Sequence, residues 1–294
     1  MTAHSDFSPA FVAELARADV ERALLEDVGA ADLTAGLVDP QTRATARVLA
    51  REAAVICGKP WVQATLQALD PTAQITWHVP EGHRCKADQV VFEVHGQARA
   101  LLTAERTALN FLQLLSAVAS KTSDFVQAVR DVPGARARIV DTRKTLPGLR
   151  LAQKYAVLTG GGTNHRLGLY DAVLIKENHI AAAGGVTAVL KQAAQVAPQA
   201  KFVEIEIETQ EQLSEALEAG ADMVLLDNMS LAQLYEAVRL NAGRAILEVS
   251  GGVNLSTVQA IAATGVDRIS IGALTKDVKA IDFSMRFMPD ALDK

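Results

Sequence analysis

The chain has 294 residues, 49% hydrophobic and 21% charged, with a formal net charge of −5. That length accommodates about two domains of roughly 150 residues, and the acidic balance argues against general nucleic-acid binding. No apolar run approaches the roughly 20 residues of a membrane span, Met1-Thr2-Ala3-His4-Ser5-Asp6 lacks the basic-then-apolar pattern of a leader, and Cys57 and Cys85 are too few for a disulfide framework; a soluble, cytoplasmic protein with reduced thiols is expected.

Phe11, Leu15, Ala18, Leu24, Leu25 and Val28 recur at helical spacing, and Gly29 supplies a stop. From Ala44 to Cys57 the pattern turns β-like. Gly58-Lys59-Pro60 breaks it, and Trp61 to Leu69 reads as a short helix. Ile75–Val79 and Val90–Val94, separated by Pro-Glu-Gly, complete a small antiparallel sheet. A long helix follows, from about Ala98 to Arg130, with an apolar face of Leu101, Leu102, Leu109, Leu112, Leu115 and Val118 and a possible break near Ser120.

After Val132-Pro133-Gly134 strands and helices alternate. The strand-like runs are Arg138–Asp141, Ala172–Lys176, Phe202–Ile207, Met223–Asp227, Ala245–Val249 and Arg268–Ile271. The helices between them are about Leu151–Leu158, Val186–Ala197, Gln210–Ala219, Leu231–Leu240 and Ser256–Ala263. This rhythm implies parallel strands with crossover helices, hence an α/β fold: an incomplete, TIM-like α/β barrel of fewer than eight strands behind an N-terminal α+β domain. The expected boundaries are 1–116 for the first domain, with 278–294 packing back on it, and 117–277 for the barrel. A doubly wound open sheet is the rival, weakened because no strand is followed by a G-x-G-x-x-G turn.

In such barrels the carboxyl ends of the strands carry the site. Here they read Asp-Thr-Arg-Lys at 141–144, Ile-Lys-Glu-Asn-His at 175–179, Glu-Ile-Glu at 206–208, Leu-Asp-Asn at 226–228, Val-Ser-Gly-Gly at 249–252 and Ser-Ile-Gly-Ala at 270–273. Between Arg136 and His179 stand eight Lys/Arg and three Asp/Glu, a local excess of cations that would focus a small anion. Arg143 suits a carboxylate and Lys144 a phosphate; a solvated basic loop is the plain alternative. Lys176 could instead form a Schiff base. Gly160-Gly161-Gly162 permits a close loop before His165 and Arg166. Glu204, Glu206 and Glu208 share one face of a strand. If that face points into the barrel, the carboxylates need cations or a metal beside them. Asp227, paired with Glu206, suits a divalent cation or ribose hydroxyls. Ser250-Gly251-Gly252 and Gly272-Ala273 offer backbone N–H groups where barrels often bind phosphate.

Together, Glu105–Phe111, Asp141–Arg150, Gly160–Arg166 with Gly168-Leu169, Leu174–His179, Glu204–Glu208, Leu225–Asn228 and Glu248–Gly252 resemble quinolinate phosphoribosyltransferases over nearly the whole chain. The resemblance implies a reaction of quinolinate with 5-phosphoribosyl-1-pyrophosphate and Mg²⁺. Its products are nicotinate mononucleotide, pyrophosphate and CO₂, a step of de novo NAD synthesis. It also implies a homodimer, open to further assembly, in which Arg106 reaches the neighbouring subunit's site. By motif, Arg106, Arg143, His165 and Arg166 hold the quinolinate carboxylates, with Thr142 beside them. Lys144 and Lys176 bridge the two substrates, Glu206 and Asp227 serve ribose and metal, and Ser250, Gly251, Gly252, Ile271, Gly272 and Ala273 cradle the 5-phosphate. Lys276 lies where the family varies. Three other readings remain open on the residues alone: a Schiff-base lyase using Lys176, a catalytically dead ligand-binding relative, and a family member acting on another pyridine or purine-like base.

Overall fold

The structure, a computed structural model, describes residues 7–196 and 198–293. In chain order the elements are α1 (Pro9–Asp27), β1 (Arg43–Ala50), β2 (Ala54–Val55), α2 (Lys59–Leu69), β3 (Gln74–Trp77), β4 (Arg84–Cys85), β5 (Val90–Gln97) and α3 (Ala98–Arg130). They continue with β6 (Arg138–Val140), α4 (Arg150–Thr159), β7 (Val173–Ile175), α5 (Glu177–Ala183), α6 (Val186–Val196), β8 (Val203–Ile207), α7 (Gln210–Glu218), β9 (Met223–Asp227) and α8 (Leu231–Asn241). The last are β10 (Ile246–Ser250), α9 (Val258–Ala262), β11 (Arg268–Ser270), α10 (Ala273–Lys276) and β12 (Phe283–Asp293).

Two compact units result. One gathers the chain up to Lys121, Leu146–Gly161 and Asp277 onward; the other holds Thr122–Thr145 and Gly162–Lys276. In the first, an antiparallel sheet of order β12-β1-β5-β3 forms because β1 alternates, burying Ala44, Ala46, Val48 and Ala50. Their partners are β5, in register Ala46↔Val94 and Val48↔Phe92, and the final strand β12. α3 covers the sheet with Leu101, Ala104, Ala108, Leu109 and Leu112. Leu102 leaves the expected apolar face and is 37% exposed. Nor does α3 break near Ser120. The Ser116 and Ser120 hydroxyls accept the N–H groups of Cys57 and Val55, at 3.0 and 2.7 Å, so the serines serve a neighbouring segment while the helix runs on.

The second unit is a parallel sheet of order β6-β11-β10-β9-β8-β7. Its inner strand β9 is apolar on both faces, as flanking crossover helices require: Met223 to Leu226 are all buried. Capping fixes where the crossover helices start. Thr209 caps α7, and Ser230 with Gln233 forms a capping box on α8. The expected α/β class, with a parallel sheet behind an α+β unit, is what the chain adopts. The sheet has six strands, fewer than eight; β6 and β7 are its edges among the described residues, and the free side of β6 takes a short bridge, Val140 to Thr163.

Candidate active site

Six parallel strands deliver six carboxyl ends to one edge of the second unit. The loop after β6 is shaped first by Asp141, which is fully buried and whose Oδ1 accepts the His165 N–H at 2.8 Å. The Thr142 hydroxyl accepts the Lys144 N–H at 3.1 Å, a local turn that displays Arg143 and Lys144 side by side. Thr275 then donates to the Lys144 carbonyl at 2.7 Å. Ile271 donates to Val140 O at 2.9 Å, and a side chain on Gly272 would meet Lys144 Cδ at 2.9 Å. Gly272 is therefore a seat for the lysine stem as well as a source of backbone N–H.

His165 and Arg166 are both buried. Arg166 donates from Nη1 to Ala172 O at 3.3 Å. Burial, then the charge of Arg143, pull its guanidinium below the usual arginine range. Arg143 Nε is buried and has no acceptor among the described residues. Asp171 holds the end of the loop, accepting the Leu167 and Gly168 N–H groups, each at 2.9 Å.

Under this rim, Glu204 Oε2 lies 2.7 Å from His165 Nε2 and Glu248 Oε1 lies 3.6 Å from it. Arg268 Nε donates to Glu248 Oε2 at 2.6 Å. Both glutamates are fully buried, and burial pushes Glu204 up to about 7. Burial and the neighbouring Glu204 raise Glu248 as well. The three side chains His165, Glu204 and Glu248 offer metal-binding atoms within 4.8 Å of one another. Their sealed position and the Arg268 pair do not fit a magnesium ion, which keeps waters and substrate oxygens in its shell.

Glu206 and Asp227 fit that ion better, as hard carboxylate oxygens that stay partly open. Lys176 donates to Glu206 at 3.1 Å and is the leading favourable charge on Asp227, with Lys144 adding to it. Burial and Glu208 outweigh these and raise the Asp227 carboxyl. Lys176 thus stands between two carboxylates, half exposed, rather than sealed in the apolar pocket a Schiff-base lysine uses.

The link from Asp227 to the glycine loop has no counterpart in the spacing of the sequence. Asn228 sits at φ 53°, donates to Asp227 Oδ2 at 2.7 Å and sends its N–H to Ser250 O at 3.0 Å. A Cβ on Gly251, itself at φ 100°, would come within 2.1 Å of Asn228 Oδ1. The signal available in sequence was an asparagine directly after a strand-ending aspartate, since asparagine tolerates the left-handed region. Arg106 belongs to the first unit, exposed on α3 among buried Thr107, Ala108 and Leu109.

Comparison with known proteins places this edge in context. Residues 32–116 match the family model "Quinolinate phosphoribosyl transferase, N-terminal domain" and residues 118–286 match its C-terminal counterpart. A probable nicotinate-nucleotide pyrophosphorylase [carboxylating] of Bacillus subtilis is 41% identical over 261 residues, covering 89% of each chain. The Mycobacterium leprae nicotinate-nucleotide pyrophosphorylase [carboxylating] is also 41% identical, over 92% of this chain and 97% of its own. Among solved structures, the Francisella tularensis nicotinate-nucleotide pyrophosphorylase superposes with a TM-score of 0.90 at 42% identity, covering 94% of this chain and 97% of that one.

Proposed function

The chain belongs to the quinolinate phosphoribosyltransferase family, and we propose that the strand ends of its parallel sheet carry the family's reaction, transfer of a phosphoribosyl group to quinolinate with loss of CO₂. The C1–O bond of 5-phosphoribosyl-1-pyrophosphate breaks, the pyridine nitrogen takes its place, and the carboxylate beside that nitrogen leaves as CO₂. The ring carbon then takes a proton, and nicotinate mononucleotide and pyrophosphate are released, a step toward NAD.

The observation that carries the site assignment is the pairing of Arg143 with Arg166. Two guanidinium groups feel one another's charge, and one keeps a buried N–H without an acceptor among the described residues. Such a pair is stable when an anion lies between them, and a dicarboxylate supplies two. Thr142 and His165 frame this end. Lys144 and Lys176 lie toward the sugar, where two cations orient the phosphorylated partner. Glu206 and Asp227 face the carbon that becomes positive as pyrophosphate departs, and their carboxylates stabilise that charge electrostatically. They would also hold Mg²⁺, which supplies countercharge to the departing pyrophosphate. Ser250, Gly251, Gly252, Ile271, Gly272 and Ala273 cradle the 5-phosphate with backbone N–H groups.

The working enzyme is a two-fold dimer, capable of assembling further, in which Arg106 of each copy completes the carboxylate site of the other. An arginine exposed on a helix whose opposite face is packed supports that reading. Among the described residues no helix is long and apolar enough to cross a membrane. Free, buried Cys57 and Cys85 accord with a reducing cytoplasm. Incubation with quinolinate, phosphoribosyl pyrophosphate and Mg²⁺ should release CO₂ and nicotinate mononucleotide in equal amounts. Absence of both products would refute the assignment.

A further inference from the structure

His165 is tied to the protein through both ring nitrogens. The Arg166 amide donates to Nδ1 at 2.8 Å. An amide N–H only donates, so Nδ1 carries no proton and the ring's proton sits on Nε2. Nε2 faces Glu204 Oε2 at 2.7 Å and Glu248 Oε1 at 3.6 Å. The ring edge also stacks against Phe202, with centroids 5.3 Å apart at 83°. Its backbone N–H is held by Asp141. A neutral imidazole with both nitrogens engaged has no proton to offer a ligand carboxylate.

The partners beneath it are costly to keep. Glu204 on β8 and Glu248 on β10 are fully buried although β9 runs between their strands. Each has one oxygen without a hydrogen-bond partner among the described residues. Apolar residues of similar volume would cost the fold less at such positions. What the arrangement achieves is directional: it fixes one imidazole, and that imidazole fixes the Arg166 amide, one bond from the Cα that carries the guanidinium.

We propose that His165 is a positioning residue rather than a substrate ligand, a neutral strut that couples the Glu204–Glu248–Arg268 cluster to the backbone of Arg166 and so sets the carboxylate-binding guanidinium. The inference rests on the quinolinate reading of the same site and refines it. The bare Nδ1 matters as much as the protonated Nε2, because it is the acceptor that aims Arg166.

The test uses the full-length enzyme labelled with ¹⁵N in histidine, with the imidazole nitrogens followed by NMR while quinolinate is added. Calorimetry on the same sample reports whether quinolinate binds, so failure of the functional reading is seen separately. The chain has six histidines, and the His165 signals are identified by their disappearance in His165→Gln. They are identified independently by their displacement in Glu204→Gln, should the first variant not fold. The expected result is a neutral ring, bare at Nδ1 and protonated at Nε2, in both the free and the saturated enzyme. A ring that is cationic in either state, or that exchanges its Nε2 partner on saturation, overturns the proposal. A double-mutant cycle on the quinolinate dissociation constant supplies the second arm. His165→Ala and Glu204→Ala should each weaken binding about tenfold, and the double variant no more than the worse single one, because both act along one path. Glu204→Gln, whose amide oxygen still accepts the Nε2 proton, should restore most of the affinity. Additive losses, or an unchanged dissociation constant in Glu204→Ala beside a large change in His165→Ala, would show direct contact instead.

Discussion

In the antiparallel sheet of the first unit, Arg47 and Glu93 meet at 2.6 Å across β1 and β5, on the face turned to water, while alanine and valine fill the other face. In the parallel sheet of the second unit, Glu204 and Glu248 are fully buried and depend on His165 and Arg268. Both sheets pair acids with cations, but among the described residues only the parallel sheet does so inside. A surface pair is nearly neutral for stability, whereas a buried pair is retained against its desolvation cost. The difference teaches where to look for function: the sheet that holds a buried acid–cation pair is the one at whose strand ends the anionic substrate is proposed to bind.

The largest expected effect tests whether the second unit's cations are there for two carboxylates. Nicotinate, with one carboxylate, leaves a desolvated guanidinium unpaired. Its kcat/KM should fall below that of quinolinate by about 10³-fold or more. Comparable values for the two acids would remove the reason for Arg143 and Arg166 to stand together.

The next prediction asks whether any charge of the first unit crosses into the reaction. Arg106→Ala and Lys144→Ala proteins should each lose about 10²- to 10³-fold in kcat/KM. Mixed and re-equilibrated, they should recover roughly a quarter of wild-type activity, because a mixed dimer holds one intact site and one doubly altered site. Subunit exchange verified by mass spectrometry without recovered activity would confine Arg106 to its own chain.

Glu206→Gln and Asp227→Asn come next, at about 10²-fold in kcat with little change in quinolinate affinity, since their charge matters most as the ribose cation develops. Loss of affinity with kcat intact would move them from the reacting centre to the binding face.

How much of this was legible beforehand follows from what each feature depends on. β8 and β9 could be read because alternation and apolar runs are local, and so could the polar residues at each strand end. The Glu204–His165–Glu248–Arg268 cluster could not. It joins residues from β8, β10, β11 and the loop after α4, and no spacing in sequence encodes which strands become neighbours. The supposed break at Ser120 failed for a similar reason: the hydroxyl's partner, the Val55 N–H, lies 65 positions away. Asn228 was seen as part of a strand end, but its left-handed backbone and its fit over Gly251 are properties of the fold.

The buried cluster also sets a stability prediction. Glu248 titrates above the ordinary glutamate range in the folded chain. A carboxyl raised by folding lends stability below its unfolded value, about 4.3, and that contribution is lost as pH climbs toward the folded value. Glu248→Gln should therefore show a Tm that falls less steeply than the wild type's as pH rises above about 4.3, measured by scanning calorimetry. An equally steep profile in both proteins would assign the slope to other groups.

The surface pair supplies the opposite sign and the smallest effect. The Arg47 hydrogen bond and charge hold the Glu93 carboxyl below its ordinary range, with His78 3.5 Å away adding to them. A carboxyl lowered by folding contributes stability above its unfolded value and loses it as pH falls through the folded one. Acid should thus cost the wild type a little that Glu93→Gln does not lose, with the two profiles parting below about pH 4.3. At neutral pH the variant should be destabilised by less than about 1 kcal/mol, because both side chains remain solvated. Salt should erase the gap, since exposed charges are screened over about 10 Å at 0.1 M. Urea denaturation at low and high salt measures it. A loss above about 2 kcal/mol that survives 1 M salt would mean that the first unit, too, relies on a charge pair, and that burial is not what separates the two sheets.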